Sequence, residues 1–184
     1  MNIANALSLG RILLVPCFFW LCYYSYSRVG APEFVVWARI VLVMIFLSDF
    51  LDGYFARRHG QETALGGLLD PLADKLFVLT SFILLAIFDR LPIWLAMIVI
   101  SKDILVVIGW ALVATILGRV EASPTRTSKW ATAFQFAAVV ATVFSFPVPY
   151  PLIVNVVAAG LTLVSVGQYF LQGLRLLSPG NSSS

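Results

Sequence analysis

Long runs of apolar residues alternate with short polar segments along the whole chain. Six of these runs reach the length of about 20 residues that a helix needs to cross a lipid bilayer. The predicted spans are Ala6–Tyr26, Phe34–Ala56, Gly67–Phe88, Pro92–Leu117, Trp130–Phe146 and Leu152–Leu177. The predicted fold class is therefore all-α, a polytopic membrane protein with six transmembrane helices. Residues 1–177 form one domain in this prediction, and residues 178–184 form a flexible tail.

The composition favours the lipid bilayer over water as the solvent of this chain. Of its 184 residues, 60% are hydrophobic and 11% are charged, whereas soluble domains carry roughly 25% charged residues. The net charge of +3 comes from scattered basic residues, so no basic face for nucleic acid is predicted. Cys17 and Cys22 have neither the spacing of a zinc site nor that of a disulfide framework.

The basic residues predict the orientation in the membrane. With a cytoplasmic N-terminus, the outer loops contain only Arg28 and Arg90, and the inner ends and loops contain Arg11, Arg57, Arg58, Arg119, Arg126, Lys129 and Arg175. Basic residues are enriched on the cytoplasmic side of membrane proteins. We therefore predict a multi-pass protein of the cell (inner) membrane, with both termini and the active site on the cytoplasmic side.

Three basic residues, Arg39, Lys75 and Lys102, fall inside predicted spans, where a charge needs a partner or water. The sequence assigns no role to Arg39, and for Lys75 it suggests a pairing with a neighbouring span. For Lys102 and its neighbour Asp103, a structural role, in an ion pair or a water-lined groove, is preferred over a ligand contact.

Four of the nine acidic residues lie within 26 positions, at the inner ends of the second and third predicted spans: Asp49, Asp52, Asp70 and Asp74. Residues three or four apart share a helix face, so the spacing predicts two pairs of carboxylates on neighbouring helices. Carboxylates without His or Cys favour hard cations such as Mg²⁺ or Mn²⁺. Four of them can hold two such ions about 3.5–4 Å apart, an arrangement used in phosphoryl chemistry.

The residues between these acids suit a ligand that contains phosphate. Gly53, Ala56 and Gly66 are small and leave room beside the backbone, and Arg57 can contact a phosphate through its guanidinium group. Each feature alone is more typical of helix packing or capping, but packing does not explain four carboxylates in register. A cation-coupled membrane transporter is the alternative class that intramembrane carboxylates allow.

The segment Asp49-x2-Asp52-Gly53-x2-Ala56-Arg57-x8-Gly66-x3-Asp70-x3-Asp74 resembles the signature of the CDP-alcohol phosphatidyltransferase family. The resemblance implies a dimeric six-helix enzyme that transfers a phosphatidyl group from CDP-diacylglycerol to an alcohol and releases CMP. It implies that the four aspartates hold one or two divalent cations and that Asp74 takes the proton of the attacking hydroxyl. It further implies that Asp52, Gly53, Ala56, Arg57 and Gly66 contact the CDP group.

Two branches of the family are similar to this chain. The opening Asn2-Ile3-x-Asn5-x-Leu7-Ser8-x-x-Arg11 resembles both the phosphatidylglycerophosphate synthases, which use glycerol 3-phosphate, and the CMP-releasing cardiolipin synthases, which use phosphatidylglycerol. Two later segments, Ser101-Lys102-Asp103 and Ser128-Lys129-x-x-Thr132-x-x-Gln135, look more like the cardiolipin branch. We expect glycerol 3-phosphate as the acceptor, with phosphatidylglycerol as the alternative.

Three residues are candidates for binding this acceptor: Ser8, Arg11 and Lys129. Lys129 lies at the predicted cytoplasmic edge of the fifth span. Its alternative role is that of a basic residue that fixes the orientation of the helix.

Overall fold

The computed structural model describes the backbone of residues 3–27, 32–59, 64–117 and 125–177. Within these ranges the chain forms six α-helices and no strand, which confirms the all-α prediction. The helices are α1 (Ile3–Tyr26), α2 (Pro32–His59), α3 (Ala64–Ile87), α4 (Ile93–Leu117), α5 (Arg126–Val143) and α6 (Tyr150–Leu177). The predicted tail lies outside the described residues.

Helix α5 differs most from its predicted bounds, because local hydrogen bonds decide where it begins and ends. The Ser128 N–H donates to Thr125 Oγ1 over 3.1 Å, so Thr125 caps a helix that begins at Arg126, four residues before the predicted start at Trp130. At the other end, Ser145 adopts a left-handed conformation with φ of 55°. The N–H groups of Ser145 and Phe146 donate to the carbonyls of Thr142 and Ala141. This is a Schellman motif, and it stops the helix three residues before the predicted end.

The described chain forms two compact units, and the first comprises residues 1–91 and 142–145. In this unit α1 packs against both α2 and α3. Its core is apolar and fully buried, as shown by Phe18 and Phe77, whose ring centroids lie 5.5 Å apart. Burial of this apolar surface fixes α2 and α3, the helices that carry the acidic signature.

The second unit comprises residues 92–141 and 146–184. In it α4 packs against α6, with Leu95, Val99 and Ala158 fully buried. Polar side chains also lie inside this unit, since Gln135 and Thr162 are 1% and 0% exposed.

Large apolar side chains cover much of the surface of both units. More than half of the side-chain area is exposed for Trp37, Phe46, Ile104, Leu112, Leu163 and Phe170. Such a surface is typical of a protein that contacts lipid or a partner. Among the described residues, the segment Tyr150–Leu174 is long and apolar enough to cross a membrane, with a mean hydropathy of 1.8, and Leu13–Tyr26 is a shorter apolar helix. The structure thus confirms six helices and supports one of the six predicted spans.

Candidate active site

The four aspartates of the signature lie on two consecutive helices of the first unit. Asp49 and Asp52 belong to α2, and Asp70 and Asp74 belong to α3. Both helices are continuous through these positions, so the two members of a pair are separated along the helix axis by about 4.5 Å on α2 and about 6 Å on α3. The Asp74 side chain is half-buried, and the side chains of Asp49, Asp52 and Asp70 lie outside the described residues.

The connection between α2 and α3 is short, because only residues 60–63 separate His59 from Ala64. A chain of this length spans at most roughly 18 Å. Asp49 lies ten positions before the end of α2, and Asp70 lies six positions after the start of α3. All four aspartates are therefore placed on the parts of the two helices that adjoin this connection.

The other predicted contact positions are helical as well. Gly53, Ala56 and Arg57 lie on α2, Gly66 lies on the first turn of α3, and Ser8 and Arg11 lie on α1. Their side-chain environment is outside the described part of the chain. Lys129 is described: it is exposed, and its N–H donates to the Thr125 carbonyl over 3.2 Å in the first turn of α5. An exposed lysine on the first turn of a helix is accessible to an anionic ligand.

The donors of this site are chemically suited to a hard divalent cation. The signature supplies oxygen ligands alone, as Mg²⁺ and Mn²⁺ prefer. Among the side chains that the structure describes, no three His, Cys, Asp or Glu residues form a group that could hold a metal. Three of the four predicted ligands are not among those side chains, so the grouping of the four remains a prediction.

Lys102 and Asp103 form an ion pair, with 3.1 Å between Lys102 Nζ and Asp103 Oδ1. The two side chains are 6% and 18% exposed. A buried lysine needs an anionic partner, because removing an ammonium group from water is costly. This geometry agrees with the structural interpretation of the two residues.

Arg39 has a partner that sequence reasoning missed. Its Nε donates to the Val143 carbonyl over 3.0 Å, and its guanidinium carbon lies 5.5 Å from the centroid of the Phe144 ring. The carbonyl belongs to the last turn of α5, where the helix dipole favours a positive charge. No sequence signal could identify this contact, because the acceptor is a backbone atom 104 residues away.

Polar side chains join α5 to α6 in the second unit. Gln135 Nε2 donates to Thr162 Oγ1 over 2.9 Å, and Thr162 Oγ1 donates to the Ala158 carbonyl over 2.6 Å. Near the start of α5, Gln168 Nε2 donates to Thr127 Oγ1 over 3.0 Å. Gln135 belongs to a segment that resembles the cardiolipin branch, yet its amide donates a hydrogen bond to another residue of the chain. The spacing of the polar residues on α5 (128, 132 and 135) is the signal that could have indicated this contact.

An apolar groove of about 350 Å³ lies between α4 and α6, lined by residues in the ranges 105–112 and 166–174. Among the described lining residues, Tyr169 has the only polar side chain. Without a carboxylate, a basic group or a nucleophile stronger than a phenol, this groove cannot activate an alcohol or bind a pyrophosphate. The acidic signature remains the better candidate for the chemistry.

Comparison with known proteins agrees with the signature. The family model described as CDP-alcohol phosphatidyltransferase matches residues 1–166. A CMP-forming cardiolipin synthase of Streptomyces coelicolor is 39% identical over 111 residues, which are 59% of this chain and 51% of that protein. The chain thus aligns with about half the length of that relative.

Two further relatives align over most of both chains. The CDP-diacylglycerol–glycerol-3-phosphate 3-phosphatidyltransferase of Bacillus subtilis is 30% identical over 192 residues, covering 98% of this chain and 99% of that protein. The protein of the same name from Pseudomonas fluorescens is 36% identical over 182 residues, covering 92% and 88%. The match over residues 1–166 and these two near-complete alignments show that this chain belongs to the CDP-alcohol phosphatidyltransferase family.

Proposed function

We propose that this protein transfers the phosphatidyl group of CDP-diacylglycerol to glycerol 3-phosphate and releases CMP. The observation that carries this proposal is the near-complete alignment with two glycerol-3-phosphate 3-phosphatidyltransferases. It is supported by the acidic signature, which lies on two continuous helices of one unit. The catalytic domain in this proposal is residues 1–177.

In the proposed site, Asp49, Asp52, Asp70 and Asp74 hold one or two Mg²⁺ or Mn²⁺ ions. When bound, these ions supply positive charge that offsets the charge of the pyrophosphate. Asp74 also accepts the proton of the acceptor hydroxyl, whose oxygen attacks the phosphorus atom that carries the lipid. The bond from that phosphorus to the CMP oxygen then breaks, and CMP leaves with the electron pair.

The remaining signature residues position the nucleotide in this proposal. Gly53, Ala56 and Gly66 carry little or no side chain, so a cytidine group can approach the backbone of α2 and α3. Arg57 donates hydrogen bonds to the phosphates, for which its planar guanidinium group is suited. Holding the leaving group rigidly in this way reduces the entropic part of the barrier.

We further propose that all six helices span the cell membrane, with both termini and the active site on the cytoplasmic side. The shortest helix, α5, has 18 residues and is ~27 Å long, close to the ~30 Å of a hydrocarbon core. The other helices have at least 24 residues, and many of their large apolar side chains are exposed. The family resemblance also supports a homodimer, which the mass of the purified protein in detergent would test.

The catalytic proposal is tested by measuring CMP release from CDP-diacylglycerol and glycerol 3-phosphate by the purified full-length chain. We expect release that depends on Mg²⁺ or Mn²⁺ and stops when a chelator is added. Asp74→Asn should lower the rate by about 10²-fold or more, because the variant cannot accept the proton. The matched control is Lys75→Gln, an exposed neighbour that is not part of the proposed site. Metal-independent release, or full activity of Asp74→Asn, would contradict the proposal.

Phosphatidylglycerol is the alternative acceptor, which would make the protein a cardiolipin synthase. The observation in its favour is the 39% identity to the cardiolipin synthase of S. coelicolor. Supplying glycerol 3-phosphate and phosphatidylglycerol separately to the same preparation decides between them. If phosphatidylglycerol yields lipid product and glycerol 3-phosphate does not, phosphatidylglycerol is the acceptor.

We propose that the acceptor phosphate contacts Lys129, together with Ser8 and Arg11. Lys129 is exposed in the first turn of α5. Lys129→Ala should raise the KM for glycerol 3-phosphate about tenfold, the effect of losing one charge-assisted hydrogen bond. The KM for CDP-diacylglycerol should change little, and Lys129→Arg should retain the wild-type values. An equal rise in both KM values would reject this role.

A further inference from the structure

Two arginines and a tyrosine lie together at the end of the first unit that is remote from the acidic signature. The Arg90 guanidinium carbon lies 4.9 Å from the centroid of the Tyr26 ring. Arg39 lies seven positions after the start of α2, the helix that follows Tyr26 at the end of α1, so it belongs to the same end of the unit. We call Arg39, Arg90 and Tyr26 the arginine–tyrosine cluster.

This cluster is separate from the proposed active site. Arg39 precedes Asp49 by ten positions on α2, a distance of about 15 Å along the helix. Arg90 follows the end of α3, which lies 13 positions beyond Asp74, or about 20 Å along that helix. A ligand of this cluster is therefore not the pyrophosphate of the proposed substrate.

The positive charge of the cluster is not neutralised by the residues that the structure describes. Within that part of the chain, neither Arg39 nor Arg90 forms an ion pair with a carboxylate, and the acidic residues nearest in sequence, Glu33 and Asp89, are exposed. Arg39 uses its Nε for the Val143 carbonyl, and among the described residues its other four N–H donors have no hydrogen-bond acceptor. Two guanidinium groups with spare donors are the groups that proteins use to bind phosphate.

Aromatic side chains lie near the cluster and indicate where in a membrane it lies. The Phe88 ring centroid lies 6.1 Å from that of Tyr26 and 5.7 Å from that of Tyr23. Trp20 and Tyr23 are 51% and 48% exposed. Exposed tyrosine and tryptophan are typical of the level of the lipid headgroups, where the phosphates of the bilayer also lie.

We propose that the arginine–tyrosine cluster binds the phosphate of a membrane phospholipid, at the membrane surface opposite the proposed active site. The guanidinium groups donate hydrogen bonds to the phosphate oxygens, and the exposed aromatic rings contact the part of the acyl chains next to the headgroup. A free phosphate ion would gain only the first of these two contributions, so a lipid is the better occupant. This inference rests on the proposed embedding of the helices in a bilayer.

The test compares three probes that separate the two contributions: phosphatidic acid, diacylglycerol with the same acyl chains, and inorganic phosphate. Each is titrated against the full-length protein in neutral detergent, and the thermal midpoint of unfolding is recorded. A chelator is present throughout, so that the proposed carboxylate site holds no metal. Of the three probes, we expect only phosphatidic acid to raise the thermal midpoint. An equal rise with diacylglycerol or with inorganic phosphate would overturn the proposal.

Variants then assign the effect to the cluster. Arg90→Gln alters an exposed residue of the turn after α3, and it should weaken the apparent affinity for phosphatidic acid about tenfold. Arg39→Gln combined with Arg90→Gln should abolish the shift. The matched control Arg126→Gln removes a positive charge from an exposed position of the second unit and should retain the shift in the thermal midpoint. An unchanged affinity in Arg90→Gln would overturn the proposal. CMP release is measured separately in each variant, so failure of the proposed function would be seen independently of lipid binding.

Discussion

The hydrogen bond between Gln135 and Thr162 predicts that replacing Thr162 destabilises the second unit more than replacing Gln135 does. Gln135 Nε2 donates to Thr162 Oγ1, and that hydroxyl donates in turn to the Ala158 carbonyl. Gln135→Met removes the amide but leaves the Thr162 hydroxyl with its carbonyl partner. Thr162→Val removes the hydroxyl and leaves the Gln135 amide, which is 1% exposed, without that acceptor.

The magnitudes follow from this asymmetry. Loss of one net hydrogen bond between membrane helices costs about 0.6 kcal/mol, with an upper value of about 1.7 kcal/mol. A buried amide left without a partner costs about 1–3 kcal/mol. We therefore expect Thr162→Val to lower the free energy of unfolding more than Gln135→Met does. The double variant should cost less than the sum of the two single variants, by about 0.6 kcal/mol or more.

The assay is a double-mutant cycle on the full-length protein in detergent, unfolded by a denaturing detergent and followed by circular dichroism. Gln135→Met should also leave unchanged the ratio of activities with glycerol 3-phosphate and phosphatidylglycerol, because the amide is used within the protein. A coupling energy of zero, or a larger loss in Gln135→Met than in Thr162→Val, would refute the reasoning. A changed acceptor ratio would show instead that Gln135 contacts the substrate.

Three further expectations concern stability and can be checked by the same unfolding assay. Asp103→Asn should lower the free energy of unfolding by about 3 kcal/mol, since it leaves the buried Lys102 charge without its partner, and replacing both residues by apolar ones should recover most of that loss. Thr125→Ala should cost about 1 kcal/mol through loss of the α5 cap, whereas Thr125→Ser should cost little. Ser145→Gly should stabilise the protein by up to about 1 kcal/mol, because glycine adopts the left-handed conformation without strain; a loss of stability in that variant would contradict this account of the α5 end.

The number and order of the helices could be predicted from the sequence, because each apolar run has the length of a membrane span. The ends of α5 could not be placed equally well. The polar first turn of α5 lies outside the apolar run, and the left-handed residue at the other end is Ser145 instead of the usual glycine, so no glycine marks that end. Asp89 occupies the same left-handed position after α3, with φ of 54°.

The candidate site was predictable to the extent that it depends on local spacing. Asp49 and Asp52, and likewise Asp70 and Asp74, are close in sequence, so helical periodicity alone relates their positions. Contacts between distant segments are different, because they depend on which helices pack together. Arg39 illustrates this limit, since its partner is the backbone of Val143, and a backbone carbonyl leaves no trace in the sequence.

The polar groups inside this protein differ in the partner that each requires, and this difference predicts how metal affects stability. Gln135, Lys102 and Arg39 each have a partner of complementary charge or hydrogen-bonding type inside the chain. The aspartates of the signature are all acceptors of the same charge, and like charges three or four positions apart on a helix repel one another. A divalent cation offsets this repulsion for all of them at once.

In the metal-free protein, Asp70→Asn should therefore raise the thermal midpoint of unfolding, because it removes one of the repelling charges. Addition of Mg²⁺ or Mn²⁺ at about 100 times its dissociation constant should stabilise the wild type by about 2.7 kcal/mol and the variant far less. The matched control is Asp103→Asn, which should respond to metal as the wild type does because it removes a carboxylate outside the signature. If the wild type and Asp70→Asn gained equally from metal, the carboxylates of α2 and α3 would not be its ligands. Because this measurement needs no turnover, it tests the metal site independently of the acceptor alcohol.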